Sequence, residues 1–515
     1  RARPTLPHGH GEVLTAPAYE IWAALALSTA SASTTWDVVV DGVPLSDLRR
    51  TAQAEAIALA RAFCERFDIE VTLPHESPVV IVTGHQPEFF HPGVWIKNFL
   101  VDRLAGELSE SLEPAIGLNL VVDSDGFDSV MFTAPCLGAE VKRCSQYLAV
   151  GSREGCYAYA GVPSAYEIDE FCQAGSRMLH TLPAPAIGRH FEEFCAQLKA
   201  TAPAAANLAE LLAVSRRRFE APAQTRYLEL PVTQLASTSS FMRFVRHLAA
   251  NAHRFKEAYN AELASFREAT QTRSLAQPFP DLAFRDGAVE LPVWVLGDGA
   301  RRTLWAHEND GALLVALPGN EGFVPLSADD RVAPKALALT MFTRLLVADL
   351  FVHGVGGGRY DRVTDGVMTR FFGIPAPPFA VTSMTVYLPL GGHVVDENEL
   401  AGVRQRINRL QHNPDAMLPE VDFDSAEEQS QALALAAEKS ESVEMIKQVG
   451  ADKKALGQRI REINTELRRL LQPLERQLAS ELELLEGQAA AAEVFTDRTY
   501  PFFLWNPLEI QDKAR

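Results

Sequence analysis

Thr83-Gly84-His85-Gln86-Pro87-Glu88-Phe89-Phe90-His91 holds two histidines, an amide and a carboxylate, and Lys97 follows closely. Histidine carries protons near neutral pH. A lysine, with backbone amides at a strand-to-helix junction, steadies phosphate or carboxylate. A second stretch, Asp123-Ser124-Asp125-Gly126-Phe127-Asp128, carries three carboxylates. Such groups hold an amine, a sugar hydroxyl or a divalent cation. The third is Gly354-Val355-Gly356-Gly357-Gly358-Arg359-Tyr360-Asp361. Glycines there leave room for an anion to touch backbone amides. The run lacks the lysine and hydroxyl of a P-loop, and its fit to the dinucleotide fingerprint fails at Arg359. Each stretch also suits a structural job: histidines satisfying loop backbone, aspartates capping a turn, glycines making a tight turn.

The flanking residues say what must position these groups. Val79-Val80-Ile81-Val82 reads as a buried strand, and Ile96, Leu100, Val101 and Leu104 recur at helical spacing. Pro92 and Gly93 are expected to interrupt regular structure between them. Leu118 to Val122 is a second short strand, so a right-handed βαβ unit is expected between 79 and 122. The polar loops then sit at strand carboxyl ends, where open α/β sheets bind ligands. Leu350-Phe351-Val352 supplies a strand before the glycine run, and Pro334 is placed at the opening of the helix before it.

Elsewhere, Leu45 to Phe67 carries a stripe of Leu48, Ala52, Ala56, Leu59 and Phe63. Phe191–Leu212 and Ser240–Thr270 read as single helices. Residues 288–325 read as a β-meander, with turns at Asp298, Asp310 and Gly319. Near the C-terminus Leu456, Ile460, Ile463, Leu467, Leu470 and Leu474 step by four and three, a heptad seam. Gly450 and Asp452 suit a helix end and the next helix start, and Pro473 is expected to kink the seam. A helical hairpin follows, packed on itself or pairing two copies.

The chain has 515 residues, too many for one core. The expected division is 1–150 as the first part of the core, 151–280 as a helical insert and core return, and 281–392 as the meander and glycine-run part. A helical hairpin at 393–492 and a tail at 493–515 that docks on the core complete it. Hydrophobic residues make up 47% and charged residues 22%, and the net charge is −18. That charge argues against nucleic acid or an anionic membrane as main partner. No apolar run reaches the ~20 residues that span a bilayer. The start, Arg1-Ala2-Arg3-Pro4, lacks a signal-peptide core and reads as trimmed. Six cysteines without a CxxC pair argue against zinc and fit free thiols in a reducing cytoplasm.

Taken together these motifs resemble the bacillithiol biosynthesis cysteine-adding enzymes. That family has a strand ending in Thr-Gly-Gln-Gln followed by Pro and Gly; here Thr83-Gly84-His85-Gln86 and Pro92-Gly93 stand there. Its acidic segment is similar to Asp123–Asp128, and its Phe-Gly-Ile-Pro exit is Phe372-Gly373-Ile374-Pro375. The similarity runs in order through about 75–135 and 280–490. His85 replaces the family's first Gln, and Gly357-Gly358-Arg359-Tyr360-Asp361 replaces its Pro-Gly-Glu.

The resemblance implies an α/β fold: a Rossmann-like parallel-sheet core with inserted helical and β segments and a C-terminal helical coiled coil that pairs two subunits. It implies a cytoplasmic ligase that joins an amino acid such as cysteine to an amino-sugar acid, with ATP or ADP as ligand. The expected catalytic residues are His85, Gln86, His91, Lys97, Asp123 and Asp125. Thr83, Gly84, Gly354, Gly356, Gly357, Gly358, Arg359, Tyr360 and Asp361 are expected to bind the nucleotide. No metal ligand is assigned. A nucleotidylyl-transferase-like enzyme, or a dimeric scaffold without activity, are the alternatives.

Overall fold

The computed structural model describes all residues except 1–4, 72–76, 112, 138–140, 275–276, 298, 318–321, 392–396 and 424. The expectations for Arg1–Pro4 and for the turns at Asp298 and Gly319 lie outside the described residues. The chain forms two compact units. One holds 1–136, 144–388 and 498–515; the other holds 137–143 and 389–497.

The first unit is mixed α/β around a six-stranded sheet. Its strands are β1 (Glu12–Ala16), β2 (Val79–His85), β3 (Ala115–Val121), β4 (Leu228–Pro231), β5 (Leu350–His353) and β6 (Phe379–Thr385). Their order is β1-β6-β5-β2-β3-β4, parallel throughout except for the edge strand β1. Strands β2 and β3 are buried almost end to end. Burial on both faces explains why they read as unbroken apolar runs rather than alternating ones. Strand β2 runs on through Thr83 and Gly84 to His85, so these are sheet residues and not loop.

Four helices frame the site: α1 (Leu45–Arg66), α2 (Pro92–Glu110), α3 (Ala336–Leu346) and α4 (Val355–Phe372). Pro92 and Gly93 open α2 rather than interrupting it, with the His91 ring accepting from Gly93 N. Proline is at ease there because the first helical N–H needs no partner. The glycine run is likewise helical: α4 starts at Val355 with Gly354 as its cap residue. Packing overrides glycine's poor helix propensity. A Cβ on Gly358 would stand 2.3 Å from Val381 Cγ2 on β6. Gly358→Ala is therefore expected to lower stability by about 1–3 kcal/mol, the usual cost of overpacking. Chemical denaturation would measure it, and an unchanged midpoint would refute this account of the close approach.

Other boundaries also moved. Pro334 ends a strand, Arg331–Pro334, and α3 starts two residues later. The expected 191–212 helix is two, Pro185–Thr201 and Leu208–Phe219, and the 240–270 helix divides at Asn251. Side-chain period alone does not reveal such breaks. The meander forms a second, antiparallel sheet from Ala288–Gly297, Ala300–His307, Leu313–Ala316 and Phe323–Pro325, with Arg331–Pro334 beside the first. Cys136 and Cys144 are joined in a disulfide, against the expectation of free thiols. A hairpin sets them with Cα atoms 5.9 Å apart, which spacing along the chain does not disclose. The other four cysteines are free and buried.

In the second unit, Ala432 and Leu435 of Ala426–Ile446 pack on Ile463 and Leu467 of Lys453–Leu470. Asp452 caps the latter helix. Val403 and Leu410 of Glu397–His412 pack on Leu474, Leu478 and Leu485 of Gln472–Phe495. The helix ends at Leu470 and a new one starts at Gln472, and Pro473 enters the first turn of the new helix instead of kinking one. Among the described residues no helix is long and apolar enough to cross a membrane.

Candidate functional site

The strand order reverses between β5 and β2: β3 and β4 follow on one side of β2, while β5 and β6 lie on the other. A crevice opens where strand order reverses, at the carboxyl ends. A cavity of about 540 Å³ lies there. It is lined from β2 and the loop after it (Gly84, His85, Gln86, His91), from α2 (Lys97) and from β5 and α4 (His353, Gly354, Gly356, Gly357). Asp125, Tyr360, Asp361, Ser383 and Arg498 complete its polar wall, and Phe279, Leu337 and Leu339 are part of its apolar wall. A neighbouring cavity of about 690 Å³ shares His85 and Gln86 with it and adds Glu88, Asp128, Arg153, Tyr157 and Arg301.

An aromatic cluster anchors the loop between β2 and α2. Phe89 stacks on Phe171 and meets Phe194 and Phe503 edge-on at 5.7 and 5.1 Å, while Phe90 lies 5.3 Å from Phe502. Phe502 N also donates to Phe90 O at 2.8 Å. Each aromatic pair is worth about 0.5–1.5 kcal/mol beyond its buried area. The chain's last residues thus brace the loop that carries His85.

Near His85 and Gln86, Arg216 is buried with Glu220 and Glu229, donating to Glu220 at 2.7 Å and to Tyr227 Oη at 2.6 Å. Asn119 and Trp95 donate to these two carboxylates. Lys97 is buried, 3% exposed, and its Nζ donates to Gly84 O at 2.7 Å. Burial, with Arg216 nearby, pushes its pKa down to about 7. His85 Nδ1 lies 3.1 Å from Gln86 O and its ring meets Phe90 edge-on. It keeps about a quarter of its surface open, at 27%, yet lies deep in protein. Burial, with the Lys97 charge, drops its pKa to about 3. His85 is therefore a neutral imidazole at pH 7, and Lys97 is poised to gain or lose a proton.

Gln86 Nε2 donates to Asp125 Oδ2 at 2.8 Å, and Arg301 lies 3.7 Å from the same carboxylate. Burial raises the pKa of Asp125; burial and then Asp125 raise that of Glu88. His353 Nε2 is 2.8 Å from Asp361 Oδ2, which also accepts from Arg344 at 2.6 Å. Burial opposes the Asp361 charge, but Arg344 and then His353 outweigh it and hold the carboxylate ionised. Burial keeps His353 below its ordinary pKa despite that partner.

Thr83, Asp123, Gly358 and Arg359 do not line the cavity. Thr83 Oγ1 donates to Val352 O at 2.8 Å, stitching β2 to β5. Asp123 accepts from Thr233 N at 2.9 Å and from its hydroxyl, and burial pushes its pKa up to about 6. Gly358 backs onto Val381, and Arg359 is exposed. Asp128 pairs with Arg153 at the surface. Sequence reasoning missed Glu88, Arg301, His353, Ser383 and Arg498 as site residues. Glu88, inside the polar loop after β2, and His353, last in its strand and next to the glycine run, carried a local signal.

No family model matches the chain, and no curated protein matches it. Among solved structures, one titled "putative arginyl t-RNA synthetase" from Campylobacter jejuni aligns over 86% of this chain and 96% of its own, at 12% identity and a TM-score of 0.23. A likeness that low carries no argument about fold or activity.

Proposed function

We propose that this chain is a ligase that uses a nucleotide, ATP or ADP, to join an amino acid to a small polar amine-bearing acid. The carrying observation is that segments near residues 85, 125, 354 and 498 line one cavity at the switch point of a parallel sheet. A Rossmann-like description suits that sheet. The resemblance to the bacillithiol cysteine-adding enzymes makes cysteine and an amino-sugar acid the substrates to try first. On this reading the protein works in the cytoplasm, and its helical segment pairs two copies as a coiled coil.

Amide formation needs an amine free of its proton and a carboxylate oxygen that leaves as part of an anion. A bound nucleotide would supply the phosphate that makes that oxygen a leaving group. His85, neutral and open to both cavities, accepts a hydrogen bond from the amine and orients it; with a pKa of about 3 it does not keep the proton, which leaves with the departing phosphate. Asp125 and Glu88 hold the incoming ammonium beside it. Lys97 and Arg498 steady anionic groups. His85→Ala is expected to cut turnover at least ~100-fold while leaving the melting temperature within a few degrees. Product formation from cysteine, an amino-sugar acid and ATP, followed by mass spectrometry, reads this directly. Unchanged turnover removes His85 from the mechanism. If no nucleotide or substrate gives calorimetric heat, the inactive scaffold is the better reading.

A further inference from the structure

We infer that Arg498 and Lys97 together bind a chain of two or more phosphates in the 540 Å³ cavity, with Arg498 brought there by the C-terminal segment. The inference deepens the nucleotide reading above and rests on it for the owner of those phosphates. Two cations line this cavity without a carboxylate partner. Lys97 meets the Gly84 carbonyl, and no acidic group lies within ion-pair distance of it among the described residues. Arg498 Nη2 donates to Ser383 Oγ at 2.9 Å and to Met384 O at 2.5 Å, both neutral. Its Nε is buried and donates to no protein atom.

Among the described residues, neither Asp361 nor Asp125 on the cavity wall pairs with these two cations. Asp361 is bound by Arg344 and His353, and Asp125 by Gln86 with Arg301 nearby. Uncompensated charge held out of water is costly, so a site that keeps a buried lysine and a half-buried arginine unpaired among the described residues is built for an anion that is not part of the chain.

The backbone agrees. The starts of two long helices, α2 and α4, line the same cavity through Gly93 and Gly354–Gly357. The α4 start has no side-chain cap, so its first N–H groups and its dipole favour negative charge; at α2, where Pro92 has no N–H and His91 accepts from Gly93 N, the dipole alone does. A Cβ on Gly93 would stand 2.5 Å from Arg498 Nη2 and 2.8 Å from His91 Cε1. The guanidinium therefore rests against the opening of α2, and glycine is what allows it. Two cations and two helix starts lining one cavity suit an extended polyanion better than one carboxylate. Arg498 itself is held in place because Phe502 and Phe503 pack on the loop after β2.

Calorimetry on the full-length protein tests this with pyrophosphate, ADP, adenosine and succinate. Pyrophosphate and ADP are expected to bind, and adenosine and succinate at least tenfold more weakly. Arg498→Gln is expected to weaken pyrophosphate about 10–100-fold, the worth of a charge-assisted hydrogen bond. Arg498→Lys should recover part of that, and Ser383→Ala, which frees the guanidinium at one end, should cost several-fold. The last two variants keep the test alive if the first misfolds. Pyrophosphate binding that all three variants leave unchanged overturns the inference, as does succinate binding as tight as pyrophosphate's. Pyrophosphate binding that depends on Arg498 while ADP fails to bind would uphold the anion site and overturn the nucleotide reading.

Discussion

Lys97→Met should lose at least ~100-fold in turnover, the scale set by removing a preorganised charge from an active site, and yet be more stable than the parent at pH 7. The lysine is buried without a carboxylate partner, and its pKa falls from 10.5 to about 7. Between those values the unfolded chain holds a proton that the folded chain does not. Stability of the parent therefore rises with pH across that window, and below it the full penalty of the buried ammonium is present. Methionine keeps the unbranched stem and removes the charge, so a gain of about 1–4 kcal/mol is expected, as when buried ions give way to apolar side chains. Urea unfolding at pH 6, 7 and 9 measures this. The parent's rise with pH should flatten in the variant. His85, which Lys97 helps to keep neutral, should titrate at higher pH by NMR. A variant with parental activity, or one destabilised at every pH, would refute the assignment.

Arg344→Met should cost about 3–5 kcal/mol, the penalty for leaving a buried charge without its partner. Arg344 is 1% exposed. It donates to Asp361 and Asp365, each at 2.6 Å, and to Pro377 O. Removing it strands Asp361 with only the neutral Thr364 hydroxyl and the His353 ring beside it. In the parent, the depressed pKa of Asp361 contributes stability that is present above the carboxylate's unfolded value and lost as pH falls through the folded one. The variant should forfeit this contribution and begin to unfold at higher pH on acidification. Adding Asp361→Asn should recover part of the loss, because the stranded charge is then gone, and the difference measures the coupling. A loss below about 1 kcal/mol would mean that water or His353 compensates Asp361 without help.

The elements nearest the site were legible because their cause is local. Val79–Val82 is too apolar and too β-branched to be anything but a buried strand, and Ile96, Leu100, Val101 and Leu104 are one face of a helix. The loop after β2 could therefore be placed at a sheet edge from residue order alone. The start of α4 was not legible. Glycine is the poorest helix former after proline, and only the close approach of Val381 and His353 makes it the residue that fits.

Residue order by itself determined that histidine, lysine, carboxylate and glycine segments would stand at the ends of parallel strands, since strand and helix periods follow from side-chain pattern. Tertiary structure alone decided which of them share a cavity. It turned Asp123 toward Thr233 and Asp125 toward Gln86, although the two are separated by one residue. It brought Arg498 from the far end of the chain against Gly93. Side-chain direction and charge compensation depend on neighbours hundreds of residues away, and a local pattern carries no record of them.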